Sequence, residues 1–202
     1  MSVLRVVVFL DFQNVYHRAR GCFCRGDVPH WEGQVDCLAL GQRLVARGPD
    51  ARELKQVRAY RGMPSSARDP KAYGANRRQS ARLVRRGQGR VQIVARPLRY
   101  PAAYPREKPE EKGIDVALAV DFVMMAARDE YDVGILMSTD TDLVPALEAV
   151  SELRGPRCEV AAWKNPRGSS SRLAVRGHDV SCHWLEAADY AAVFDDTDYT
   201  VP

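Results

Sequence analysis

The chain has 202 residues, 46% of them hydrophobic and 28% charged, a balance that supplies one globular domain with a full core. No apolar run approaches the roughly 20 residues that cross a bilayer. The run at 6–10 is too short for a secretory signal, so the expectation is a soluble, cytoplasmic protein with no membrane partner. The net charge of +4 comes with a lopsided distribution, which points to a polyanion as partner rather than to an acidic surface role.

Residues 4–10 predict the first strand, with Val6-Val7-Val8-Phe9-Leu10 running into Asp11, Phe12, Gln13 and Asn14. Apolar residues at every position suit a strand covered on both faces, as in a parallel sheet. Residues 16–33 hold Gly21, Gly26, Pro29 and Gly33 and predict a loop. Cys22, Cys24, His30 and Cys37 are zinc-ligand types, with His17 nearby, but Cys-x-Cys is tighter than the usual knuckle. Buried or loop thiols are the favoured reading, and an odd, irregular set of five cysteines suits a reducing compartment.

A helix is expected over 36–47, with Leu38, Leu40, Leu44 and Val45 as its stripe, and Gly48-Pro49-Asp50 stops it. A second strand follows over 54–60, a basic helix over 70–86 and a third strand over 90–96. Between Arg52 and Arg99 only Glu53 and Asp69 oppose a long series of arginines and lysines. A solvated helix face normally mixes signs. This block therefore predicts a phosphate-backbone surface, with Arg77, Arg78, Arg82, Arg85 and Arg86 on its helix as the contacts. The prolines of 97–109 recur too often for a helix or central strand. They predict a stiff extended loop whose Tyr100 and Tyr104 either stack on bases or pack back on the domain.

Residues 113–128 predict a helix apolar on nearly all sides and so buried. A strand at 133–137, a helix at 142–153 with Pro145 in its first turn and a strand at 159–163 follow. A polar turn at 168–171, a short helix at 172–176 and a last helix at 184–194 complete one domain over 1–194. Residues 195–202 are expected to form a loose acidic tail. Strands alternating with helices give an α/β fold, a doubly wound, mainly parallel sheet of about five strands.

Four acids occupy ends of these elements. Asp11 follows the first strand, Asp140 and Asp142 follow the fourth, and Asp115 lies in the first turn of the helix before it. Ligands of open parallel sheets bind beyond the carboxyl ends of the strands. If strands one and four are neighbours, the four acids share one crevice and suit a hard divalent cation such as Mg²⁺ or Mn²⁺. Singly, each has a structural reading: Asp11, Asp140 or Asp142 as a cap or turn acceptor, Asp115 as a first-turn acid. Together, unpaired clustered carboxylates would repel one another, which favours a shared metal site. Asp121 lies six residues after Asp115, about 120° round the helix, and is expected to support the site through residues 138–139 or through water.

Three blocks, Leu10-Asp11-Phe12-Gln13-Asn14, Lys112-Gly113-Ile114-Asp115-Val116-Ala117-Leu118-Ala119-Val120-Asp121 and Ser138-Thr139-Asp140-Thr141-Asp142, resemble those of NYN domains, a branch of the PIN-like nucleases. Leu185-Glu186-Ala187-Ala188-Asp189-Tyr190 resembles their closing helix. Thr139 stands where the third block usually has glycine. The resemblance implies a three-layer α/β/α sandwich and RNA cleavage dependent on Mg²⁺ or Mn²⁺. It implies that Asp11, Asp115, Asp140 and Asp142 are the catalytic metal ligands, that Asn14 and Ser138 orient ligands or water, and that Lys112 meets a phosphate. Structured RNA such as tRNA is compatible with the basic block. The alternative is an inactive RNA-binding or scaffold module on the same fold. A haloacid-dehalogenase-like phosphatase fits poorly, because Gln13 stands where that chemistry needs a second acid.

Overall fold

The computed structural model describes residues 3–201. Six strands form one parallel sheet: β1 Leu4–Asp11, β2 Arg52–Met63, β3 Val91–Pro97, β4 Val133–Met137, β5 Arg157–Trp163 and β6 Cys182–Leu185, in the order β3-β2-β1-β4-β5-β6. The helices are α1 Phe12–Phe23, α2 Cys37–Ala46, α3 Pro70–Arg86, α4 Ile114–Ala127, α5 Val144–Ser151 and α6 Ala187–Val193. Val6 to Leu10 of β1 are fully buried because the strand is covered on both faces. Val6, Val8 and Leu10 pack with α1, α2 and α6, while Val7 and Phe9 pack with α4 and α5. Truncating Phe9, which touches Phe122 and Tyr131 edge-on, would cost about 3–5 kcal/mol. α4 lies so close to the sheet that a Cβ at Gly134 would sit 2.8 Å from the Phe122 and Tyr131 rings.

The chain winds from β1 outward to β3, then returns through α4 to lay β4 on the other side of β1. That reversal between β1 and β4 is the switch point of one of the few topologies the sequence allows, and ligands of such sheets bind beyond the strand ends there.

Several expectations change. The loop expected at 16–33 begins as helix: α1 starts directly after β1, capped by Asp11 and held by Phe12, Val15, Ala19 and Cys22 at helical spacing. The sheet has six strands rather than five. The helix expected at 184–194 starts only at Ala187, because Cys182–Leu185 pair with Val160–Trp163 of β5. Residues 172–176 form no helix. The fifth helix is preceded by a 3-10 turn, Thr141–Leu143. α4 is buried on one side only: Val116, Val120 and Met124 are exposed, at 65%, 53% and 41%.

The segment from 195 is placed along the domain rather than loose. Tyr199 and Asp195 are buried, with Tyr199 Oη donating to Asp195 Oδ2 at 2.6 Å. Arg78 Nη2 donates to the Tyr199 carbonyl at 2.6 Å, and His30 Nε2 lies 3.1 Å from Asp198. Met1, Ser2 and Pro202 lie outside the described residues. No helix among those described is long and apolar enough to cross a membrane.

Candidate functional site

Asp11 is the last residue of β1 and the N-cap of α1. Its Oδ1 accepts from the Asn14 N–H at 3.1 Å and its Oδ2 from the Ser138 hydroxyl at 2.8 Å. The Ser138 Oγ accepts in turn from the Asp140 N–H at 3.1 Å, and Asp140 Oδ1 caps the 3-10 turn through the Asp142 N–H at 3.0 Å. The capping reading of Asp11 and Asp140 is therefore correct as far as it goes, and it fixes both carboxylates on adjacent strand ends. Asn14 clamps the two ends together. Its Oδ1 accepts from the Thr139 N–H at 3.2 Å and its Nδ2 donates to Thr139 Oγ1 at 3.2 Å. Arg18 Nε also donates to that hydroxyl, at 2.8 Å. A glycine at 139 would keep the N–H bond to Asn14 but lose the hydroxyl that Asn14 and Arg18 reach.

Asp115 enters the same crevice from the first turn of α4, after Gly113 takes a left-handed backbone at φ 74°. Asp11 and Asp115 are near enough to the other acids to feel their charge. Burial raises the Asp11 carboxyl above its ordinary pKa, and the charges of Asp115 and Asp140 raise it further, against the Ser138 and Asn14 hydrogen bonds. Burial also raises Asp115, with Asp140 and Asp142 adding to it. None of the four acids has an ion-pair partner among the described residues.

A fifth carboxylate belongs to this neighbourhood. Glu111 accepts from the Gly62 N–H at 2.6 Å, and burial followed by the charges of Asp11 and Asp115 raises its pKa. With its amide nitrogen turned inward, Gln13 lies 2.7 and 3.0 Å from the Glu111 oxygens. An acid just before the Lys112-Gly113-Ile114-Asp115 turn was a visible signal, overlooked because the proline-rich approach reads as a spacer.

The donor set is all oxygen, anionic and short of counter-charge, which fits a hard divalent ion. As the side chains are placed, no three His, Cys, Asp or Glu among the described residues are gathered into a ready ligand shell. The same holds for the cysteines. Cys37 is buried in the core, Cys24 Sγ faces Glu32, and His30 turns to Asp198, so no zinc cluster forms.

Asp121 corrects an expectation. It points away from residues 138–139 and pairs with Arg58 Nη2 at 2.6 Å and the Tyr60 hydroxyl at 2.8 Å. Its angle round α4 aims it at β2, so it holds helix to sheet. Lys112 is exposed at the entry to α4.

The basic block divides on inspection. Arg77 and Arg85 are exposed on α3. Arg78 is engaged by Tyr199, Arg82 lies near the same tyrosine, and Arg86 pairs with Asp36 at 3.2 Å. Tyr100 and Tyr104 meet edge-to-face at 4.8 Å, and the Tyr100 hydroxyl accepts from the Ser65 N–H. The loop tyrosines thus pack on each other and on residues 65–68.

Set against known proteins, the chain matches the family model described as the NYN domain over residues 5–180. No curated protein matches it. A crystal structure of a protein of unknown function from Vibrio parahaemolyticus superposes with a TM-score of 0.49 at 19% identity, over 79% of this chain and 81% of that one. That likeness is too slight to support any argument about function.

Proposed function

This chain belongs to the NYN domain family, and we propose that it hydrolyses RNA phosphodiester bonds with Mg²⁺ or Mn²⁺ held by Asp11, Asp115, Asp140 and Asp142. What supports the reading is that these acids stand at the ends of β1 and β4 and in the first turn of α4, that Asp11 and Asp115 feel the charges of their neighbours, and that none has an ion-pair partner among the described residues. A bound divalent ion supplies the missing positive charge, offsets phosphate charge and acidifies water. The chain does the rest. Asn14 and Ser138 hold Asp11 in one orientation, and Thr139 locks the loop after β4 against α1. Lys112 stands at the rim as a point charge for a neighbouring phosphate. Arg77 and Arg85 on α3 lead the backbone of the RNA toward the crevice.

The second reading is an inactive RNA-binding module, and the lack of a closed ligand shell favours it. Degradation of labelled RNA with and without Mn²⁺, in wild type and Asp140→Asn, separates the two. Cleavage that needs both the metal and Asp140 supports the nuclease. Equal RNA binding by both proteins with no cleavage by either establishes the binder.

A further inference from the structure

Next to the acids, beyond the ends of β1 and β2, lies a cavity of about 450 Å³, within the usual range for small-ligand sites. It shares Phe12, Gln13 and Glu111 with the neighbourhood of Asp11. Arg61 lines it, one position beyond the β2 residue paired with Asp11. The other arginines of β2 have acids, Arg52 with Glu159 and Arg58 with Asp121, while Lys55 donates to the Glu130 carbonyl. Arg61 has none within ion-pair distance among the described residues. Its Nη1 donates to a neutral acceptor, Gln79 Oε1, at 2.7 Å, its Nε is covered without an acceptor, and its guanidinium lies 4.9 Å from the centre of the Phe12 ring. Glu111 is near enough to be felt, but its Oε1 accepts from Gly62. A second lining group, Asn76, donates to the Gly62 carbonyl and leaves its buried Oδ1 without a donor.

Buried charges are normally paired and buried polar atoms normally bonded. Here a cation short of an anion and an amide oxygen short of a donor line one space, beside the aromatic rings of Tyr16 and Tyr199. A ligand with an anionic group, a donor edge and a flat ring answers all three. We infer that this cavity binds a nucleoside monophosphate unit, its phosphate on Arg61 and its base among the tyrosines and Asn76. The inference rests on the RNA reading of the adjoining acids and assigns the neighbouring nucleotide its seat. The same chemistry is offered by a unit of an RNA strand and by a free mononucleotide.

Calorimetry in EDTA tests it without any cleavage. The probes are adenosine 5′-monophosphate, adenosine and a hexa-adenylate, titrated into wild type, Arg61→Gln and Ala75→Phe. Ala75 lines the cavity from α3, so the larger ring fills it while Arg61 is kept. The expected result is binding of the monophosphate, weakened at least about tenfold by either variant and by removal of the phosphate. A hexamer binding more tightly than the monophosphate identifies the strand as source, and equal binding identifies the free nucleotide. Arg61→Gln should melt no lower than wild type, since it removes a half-buried cation that has no acid partner; if it fails to fold, Ala75→Phe decides. Binding unchanged within about twofold in the folded variants, adenosine equal to its monophosphate, or no binding of either phosphorylated probe overturns the inference. Because no metal is present, these outcomes are independent of whether Asp140 supports cleavage.

Discussion

In the amino-terminal half of the sheet, Arg5 donates to both Asp132 and Asp129, and Arg52 donates to Glu159, whose Oε2 also lies 2.6 Å from His183 Nε2. At the carboxyl end, Asp11, Asp115, Asp140, Asp142 and Glu111 have no such partners among the described residues. The pKa shifts divide along the same line. The hydrogen bond from Arg5 holds the Asp132 carboxyl below its ordinary range, and His183 and Arg52 outweigh burial to bring Glu159 down to about 2. Asp11, Asp115 and Glu111 are all displaced upward, by burial and by one another. Paired charges serve the fold. Unpaired like charges at a strand-end crevice are a standing cost that function explains better than folding does. Activity and stability should therefore respond in opposite ways to substitutions at the two ends.

The largest effect is expected at the acids. Asp11→Asn or Asp140→Asn should lower Mn²⁺-dependent RNA cleavage at least about 100-fold, a few kcal/mol of transition-state stabilisation, and leave the melting temperature level or higher as repulsion is relieved. A sharp fall in melting temperature would place these residues with the structural charges of the other end. The converse is Glu159→Gln. It leaves Arg52, whose side chain is only 2% exposed, with Asp50 alone at 3.5 Å, and should cost up to about 3–5 kcal/mol of stability with cleavage per folded molecule unchanged. Denaturant unfolding beside an activity titration reads both.

The same division predicts pH behaviour. Glu159 has a folded pKa of about 2 against roughly 4.3 unfolded, so its contribution is full above the unfolded value and fades as pH falls toward the folded one. Asp11 is displaced the other way. Its stabilising contribution is full below the ordinary carboxyl range and is lost as pH rises through its raised pKa. The stability gap between Asp11→Asn and wild type should thus widen upward from that range and then level off. A gap that narrows instead would mean Asp11 has a cation partner in solution.

How far the sequence carries this comparison depends on the range of the interactions. The strands were legible because both-face burial leaves unbroken apolar runs, and the acids because strand ends are visible in those runs. Handedness and chain order left the adjacency of β1 and β4 as one of a few topologies, and the pairing itself decides it. Pairings over long separations were not legible. Asp121 finds Arg58 across 63 residues and Arg52 finds Glu159 across 107, so a block of arginines that looked uniform holds some spent on the fold and others, Arg61 among them, without an acid. α1 was hidden because Gly21 within it and Gly26, Pro29 and Gly33 after it read as a loop. β6, with four residues, exists by pairing with β5 rather than by propensity. The final segment looked solvated by composition, yet Tyr199 and Arg78 tie it down.

The smallest predicted effect extends the paired–unpaired division to the basic face. Arg77 and Arg85 are exposed on α3, whereas Arg78 already serves the Tyr199 carbonyl and Arg86 the Asp36 carboxylate. Reversing Arg77 and Arg85 to Glu should weaken RNA binding modestly, leave the melting temperature unchanged, and reduce the slope of log affinity against log salt by about 1 to 2. Reversing Arg78 should instead lower stability first, since it releases the last turn of chain from α3. The Arg86–Asp36 pair is half exposed and worth at most about 1 kcal/mol, so RNA competes for it readily and its reversal falls between these cases. Fluorescence anisotropy across a salt series orders the three. An unchanged slope for the Arg77 and Arg85 pair would move the RNA path off α3, leaving the acids and the Arg61 cavity to be approached from the Tyr100–Tyr104 side, where an edge-to-face pair and Arg68 over the Tyr100 ring at 5.5 Å offer the other cationic, aromatic route into the crevice.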